Sequence, residues 1–159
     1  MVNDKSLTPE KAIQRSQAIC ARQERCSYDI RLKLRQWQIS NVDIERIIKQ
    51  LIADGFINDE RYARMFVRDK SKFNKWGPQK ITYTLKSKHF PDDIIKDALS
   101  EIDHANDELT LKELLSKKMK GIKAKSTYDL KTKLIRFGIS RGFDYDLVSK
   151  TTSLIIKEN

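Results

Sequence analysis

The sequence predicts an all-α protein of three tandem three-helix, helix-turn-helix-like repeats in an elongated, curved array, and three observations predict it. Apolar residues recur at helical spacing along nearly the whole chain. Glycine and proline occupy only five and three of the 159 positions. One local pattern returns about every fifty residues. Scarce chain-reversing residues together with 34% charged side chains favour solvated helices over a turn-rich β fold. Fifty residues is the length of a three-helix unit, and a unit that small buries too little surface to stand alone, so neighbours are expected to stack.

The repeat is read from Ser27-Tyr28-Asp29-Ile30-Arg31-Leu32-Lys33-Leu34, which returns as Thr127-Tyr128-Asp129-Leu130-Lys131-Thr132-Lys133-Leu134, with Pro78-Gln79-Lys80-Ile81-Thr82-Tyr83-Thr84-Leu85 between them. The repeats are expected over 8–55, 56–104 and 105–157. Thr8 before Pro9 and Glu10 reads as an N-cap with proline in the first turn, and Asn58 before Asp59 and Glu60 reads as another. Gly55 is placed to stop the helix that precedes it, and Pro78 to start the one that follows Gly77.

Within each repeat the first helix is expected to bury Ile13, Ser16, Ile19 and Cys20, then Tyr62, Phe66, Val67 and Phe73, then Leu111, Leu114, Leu115 and Met119. The second carries Ile30, Leu34 and Trp37, then Ile81 and Leu85, then Leu130, Leu134 and Phe137. The third helices show the i, i+3, i+4 stripe most clearly, in Ile44, Ile47, Ile48, Leu51 and Ile52, in Ile95, Ala98, Leu99 and Ile102, and in Leu147, Val148, Thr151, Leu154 and Ile155. Ile39, Phe90 and Phe143 are placed to plug the corners before them. The third repeat has a longer interval from Leu134 to Phe143, which predicts a longer second helix or a bulged turn.

Charge is sorted by helix. The net charge is +10, which points toward a polyanionic partner. Residues 117–141 hold nine basic side chains against Asp129, and residues 68–88 hold seven against Asp69. Residues 91–108 reverse the balance, with seven acids against Lys96. Stacked repeats would align the basic segments into a stripe suited to phosphates or to an acidic groove. Lysines that merely solvate helix faces are the plainer reading, although that reading does not explain so clean a separation of sign. Trp76, Tyr28, Tyr83 and Tyr128 lie in or beside the basic runs, where packing is the expected role for tryptophan and base stacking the alternative for the aromatics.

Other function classes lack their residues. Cys20 and Cys26 are six apart, the wrong spacing for a redox pair or a zinc knuckle, so reduced thiols are expected and no metal site. No phosphate loop, metalloprotease motif or nucleophile elbow is present, so the chain is expected to be no enzyme and to need no cofactor. The start, Met1-Val2-Asn3-Asp4-Lys5, leads into polar sequence without an apolar leader, and no apolar run approaches a membrane span, so a cytoplasmic monomer with no membrane contact is expected.

One stretch resembles a known family. Gly55-Phe56-Ile57-Asn58-Asp59-Glu60-Arg61-Tyr62-Ala63-Arg64-Met65-Phe66-Val67-Arg68, followed by Gly77-Pro78-Gln79-Lys80-Ile81 and Leu85, resembles the central signature of the RecX family of RecA modulators. Ser27–Leu34 and Arg141-Gly142-Phe143 also fit, so the resemblance covers residues 10 to 156. It implies a regulator that lodges in the helical groove of a RecA recombinase filament on single-stranded DNA and limits filament growth, ATP hydrolysis and strand exchange. The expected contacts are Arg31 and Arg35 in the first repeat, Arg68, Lys72, Lys75, Lys80 and Lys86 in the second, and Lys131, Arg136 and Arg141 in the third. Binding to free single-stranded DNA is expected to be weak and salt-sensitive, because lysines dominate and no base-reading motif is present. A direct helix-turn-helix DNA-binding regulator is the alternative, weakened by acids on the helix of the middle repeat that would have to enter a groove.

Overall fold

The structure, a computed structural model, describes residues 7–159. Their order is α1 (Pro9–Arg22), α2 (Ser27–Gln36), α3 (Asn41–Ala53), α4 (Asp59–Lys72), α5 (Pro78–Ser87), α6 (Asp92–Leu99), a 3-10 turn (His104–Asn106), α7 (Asp107–Met119), α8 (Thr127–Ser140) and α9 (Tyr145–Glu158). No strand occurs among the described residues, so the chain is an all-α repeat fold. No described helix is long and apolar enough to cross a membrane.

The helix starts follow from their caps. Thr8 accepts the Lys11 N–H at 3.3 Å with Pro9 in the first turn, and Asn58 Oδ1 accepts the Arg61 N–H at 3.0 Å. Ser40, Ser126 and Asp144 cap α3, α8 and α9 in the same way. Each cap satisfies a donor that the first turn of a helix leaves without an intrahelical partner.

The helix ends share a second device. After α2, α3 and α8 the chain takes one left-handed residue, Gln38 (φ 60°), Gly55 (φ 79°) and Gly142 (φ 94°). The following residue then donates its N–H back to the third-last helical carbonyl: Ile39 to Leu34 at 3.1 Å, Phe56 to Leu51 at 2.9 Å and Phe143 to Gly138 at 3.3 Å. This is the Schellman arrangement, in which the apolar residue after the turn covers the helix end. His89 (φ 62°) occupies the corresponding place after α5. Buried Ile39, Phe90 and Phe143 thus plug the three corners, as the sequence suggests.

The described chain divides into two compact units, one of residues up to Ala63 with Lys88–Phe90, the other of Arg64–Ser87 with Pro91–Asn159. In the first, Ala12, Ile30, Leu34, Ile44, Ile47, Ile48, Leu51 and Ile57 form a continuous core. Tyr62 stacks on Phe90 there, with ring centroids 5.7 Å apart. Ser16 is fully buried and its hydroxyl has no protein partner. Ile52 departs from the expected stripe and is 51% exposed. It lies about 80° around α3 from Ile44, on the flank of the buried face.

In the second unit Leu111, Leu115, Leu134, Phe143, Val148 and Ile155 form the core shared by α7, α8 and α9. Gly138 lets α8 approach α9, since a Cβ there would come within 2.6 Å of Val148 Cγ1. Thr151 is buried because its hydroxyl donates to the Leu147 carbonyl at 2.7 Å. The long interval before Phe143 is resolved as an α8 of 14 residues, against 10 in α2 and in α5. Three expectations fail: Phe73 is 71% exposed, because α4 ends at Lys72, Ile102 lies beyond the end of α6, and Leu154 of α9 is exposed. The α4–α5 loop meets the α8–α9 turn backbone to backbone. The Gly77 N–H donates to the Arg141 carbonyl at 2.7 Å and the Gln79 N–H to the Gly142 carbonyl at 3.0 Å.

Candidate partner interface

In the first unit, Arg31 and Arg35 stand one turn apart on α2. Arg31 grips Glu45 of α3 through Nε and Nη2 at 3.0 and 3.1 Å, and the hydrogen bond from Arg31 holds the Glu45 carboxyl below its usual range. Arg35 is exposed and has no ion pair among the described residues. Lys88 is a different kind of cation. Its ammonium donates to Asp29 Oδ1 at 3.1 Å and to Tyr62 Oη at 3.0 Å. Burial disfavours its charge, but the bonds to Tyr62 and Asp29 outweigh that, so its pKa is raised.

In the second unit, Trp76 is half-buried and covered by cations, with Lys80 Nζ 4.3 Å and Lys70 Nζ 4.9 Å from the ring centroid. Phe66 meets its edge at 6.3 Å. The indole therefore packs, the expected role for tryptophan. Lys72 lies over Phe73 at 5.6 Å. Lys86 pairs with Asp92 at 3.6 Å across mostly exposed side chains, an interaction worth little in water. Arg141 is turned inward, its guanidinium donating to the Asn74 carbonyl. Arg68, Lys75, Lys131 and Arg136 have no ion pair among the described residues, and of these only Lys131 is half-buried.

The ten expected contact residues thus separate into three groups by what already holds them. Arg31, Lys86 and Arg141 are tied to protein oxygens, and Lys72 and Lys80 lie over aromatic rings. Arg35, Arg68, Lys75, Lys131 and Arg136 have no ion pair among the described residues. Tyr83 and Tyr128 are 75% and 81% exposed, whereas Tyr28 packs at 5.2 Å against His89. Tyr83 borders an open groove of about 330 Å³ along α5 with Pro78, Gln79, Thr82 and Lys86. Lys96 and His104 border a second of about 510 Å³ that shares Thr82 and Lys86. Neither residue is among the expected contacts, since Lys96 stands alone in an acidic run. Among the described residues no cluster of side chains could hold a metal ion, and Cys20 and Cys26 are free thiols.

The chain matches the family model for the second three-helix domain of RecX over residues 58–99 and that for the third over residues 107–151. It is 31% identical to the regulatory protein RecX of Prosthecochloris aestuarii, over 89% of this chain and 91% of that protein. The chain belongs to the RecX family. It is 37% identical over 120 residues to the regulatory protein RecX of Clostridium perfringens strain 13, covering 74% of this chain. Of that relative's own length it spans only 56%. A crystal structure of RecX from Lactobacillus salivarius superposes with a TM-score of 0.74 at 25% identity, covering 91% of this chain and 94% of that one. A crystal structure of another regulatory protein RecX, at 23% identity, shares the fold with a TM-score of 0.82 over 91% of this chain and 73% of that one.

Proposed function

We propose that this chain binds a RecA filament on single-stranded DNA, in the helical groove of the filament, and limits filament growth, ATP hydrolysis and strand exchange. It does so as a cytoplasmic monomer that performs no catalysis of its own and needs no cofactor. The observation that carries the reading is the set of uncommitted cations Arg35, Arg68, Lys75, Lys131 and Arg136 in a RecX-family chain of net charge +10. A cation without an internal partner loses little on meeting a phosphate or carboxylate, so these side chains favour association with a polyanion. Direct major-groove reading is the weaker account. α6 carries Asp92, Asp93 and Asp97, and DNA phosphates would repel them.

The test is the DNA-dependent ATPase of the cognate recombinase with wild-type chain or the variant Arg68→Glu/Lys75→Glu/Arg136→Glu. Each substitution is exposed and should change stability by only about 0.5 kcal/mol. The variant is expected to melt near wild type and to lose its effect on the recombinase. A folded variant that modulates as well as wild type would overturn the basic-surface mechanism.

A further inference from the structure

The first unit contains a small, largely enclosed cavity of about 100 Å³, and Arg35, one of the cations on which the filament reading rests, lines it. Arg31 and Arg35 reach it from α2, and Lys88 and His89 from the turn after α5, with Ser27, Tyr28, Asp59 and Phe90 completing the wall. We propose that this cavity is a binding site for a single phosphomonoester group.

Three features of the wall select that chemistry. The first is charge: Arg31, Arg35 and Lys88 border the cavity with Asp59, and while Arg31 is paired with Glu45 and Lys88 with Asp29, Arg35 has no ion pair among the described residues. The Asp59 carboxylate is already committed, since its two oxygens accept the Ser27 N–H at 2.8 Å and the Ser27 hydroxyl at 2.5 Å. Asp59 thereby occupies the amino end of α2, so an incoming anion is met by side chains. The second feature is the form of the donors. Arg31 uses Nε and Nη2 on Glu45 and leaves Nη1 outside that grip, and Arg35 has no ion pair among the described residues, so two guanidinium groups one helical turn apart line one space, and guanidinium is suited to phosphate oxygens.

Size is the third feature. About three waters would fill this volume, comparable to one tetrahedral anion, whereas an internal phosphodiester needs openings for two flanking sugars. A monoester also brings a charge of about −1.5 to −2 and three acceptor oxygens, which matches donors arriving from two elements. The walls are held in place before any ligand arrives, because Lys88 is fixed by Asp29 and Tyr62 and His89 packs on Tyr28. The proposal does not depend on the filament reading.

Binding is measured by titration calorimetry with inorganic phosphate, adenosine 5′-monophosphate and adenosine, and with an oligothymidylate carrying or lacking a 5′-phosphate. Phosphate and the nucleotide are expected to bind and adenosine not to. Arg35→Gln should weaken binding at least tenfold, while Arg136→Gln, an equally exposed charge in the other unit, should change it less than twofold. Equal affinity for free phosphate and for the phosphorylated strand identifies a small-molecule ligand. A marked gain from the 5′-phosphate identifies a nucleic-acid end, and both outcomes support the site. No binding at millimolar phosphate, or equal losses in the two variants, would overturn it, the second result meaning diffuse attraction to a basic surface.

Discussion

Replacing Gly77 with alanine puts a methyl group where the protein has backbone. The added Cβ would lie 2.3 Å from the Gly142 carbonyl oxygen, 2.4 Å from its carbon and 2.7 Å from the Phe143 nitrogen. No flexible side-chain end is there to yield, so the α4–α5 loop and the α8–α9 turn must separate. Separation lengthens or breaks the bonds from Gly77 to Arg141 and from Gln79 to Gly142, at 2.7 and 3.0 Å. Each lost bond leaves a buried group unsatisfied at about 1–3 kcal/mol, so a destabilisation of roughly 3 kcal/mol is expected. For a chain of this size that lowers the melting temperature by about 6–12 °C. Gly142→Ala should cost more, because its Cβ meets Lys80 Cβ at 2.4 Å and its φ of 94° adds left-handed strain of about 1–2 kcal/mol. Urea unfolding followed by circular dichroism measures both. A Gly77→Ala midpoint within about 0.5 kcal/mol of wild type would refute the backbone contact.

Two further outcomes follow from the helix ends and the thiols. Gln38 holds the left-handed position after α2 that glycine holds after α3 and α8. Gln38→Gly should therefore stabilise the first unit by about 0.5–1 kcal/mol, the relief of strain less the entropy glycine loses, read as a higher urea midpoint. Burial pushes the Cys26 thiol up to about 12 from 9.0. An acid whose pKa is raised by folding contributes stability that is intact below pH 9 and lost as pH climbs toward 12, at up to about 1.4 kcal/mol per pH unit. Wild type should lose stability over that window faster than Cys26→Ala, and parallel curves would count against a protonated buried thiol.

Local signals in this chain were readable and long-range ones were not. Thr8, Asn58 and Gly55 each act on residues within four positions, so their caps could be assigned from the sequence, as could the corner plugs Ile39, Phe90 and Phe143. The spacing to Phe143 left a longer helix or a bulged turn open, and the structure takes the first. Phe73 misled because periodicity does not record where a helix stops. The contact candidates were chosen by charge and by position around the family motif, and neither tells a cation that waits for a partner from one already held. Arg141 is spent on Asn74, 67 residues away, and Arg31 on Glu45, 14 residues away. The cavity beside α2 was invisible for the same reason, since its walls come from segments that only the fold brings together.

The extra length of α8 has a geometric consequence. Its four additional residues rotate the helix end by about 400°, one full turn plus about 40°, and advance it about 6 Å along the axis. The corner at Gly142 and Phe143 therefore keeps nearly the same facing as a ten-residue helix would give it while reaching one turn further, to the loop at Gly77. An insertion of five residues would have swung that corner through about 140° and turned Phe143 out of the core. A single-residue insertion or deletion within α8 should therefore swing the corner by about 100° and turn Phe143 away from the core, whereas loss of a whole turn should keep its facing but draw it about 6 Å back from the loop at Gly77.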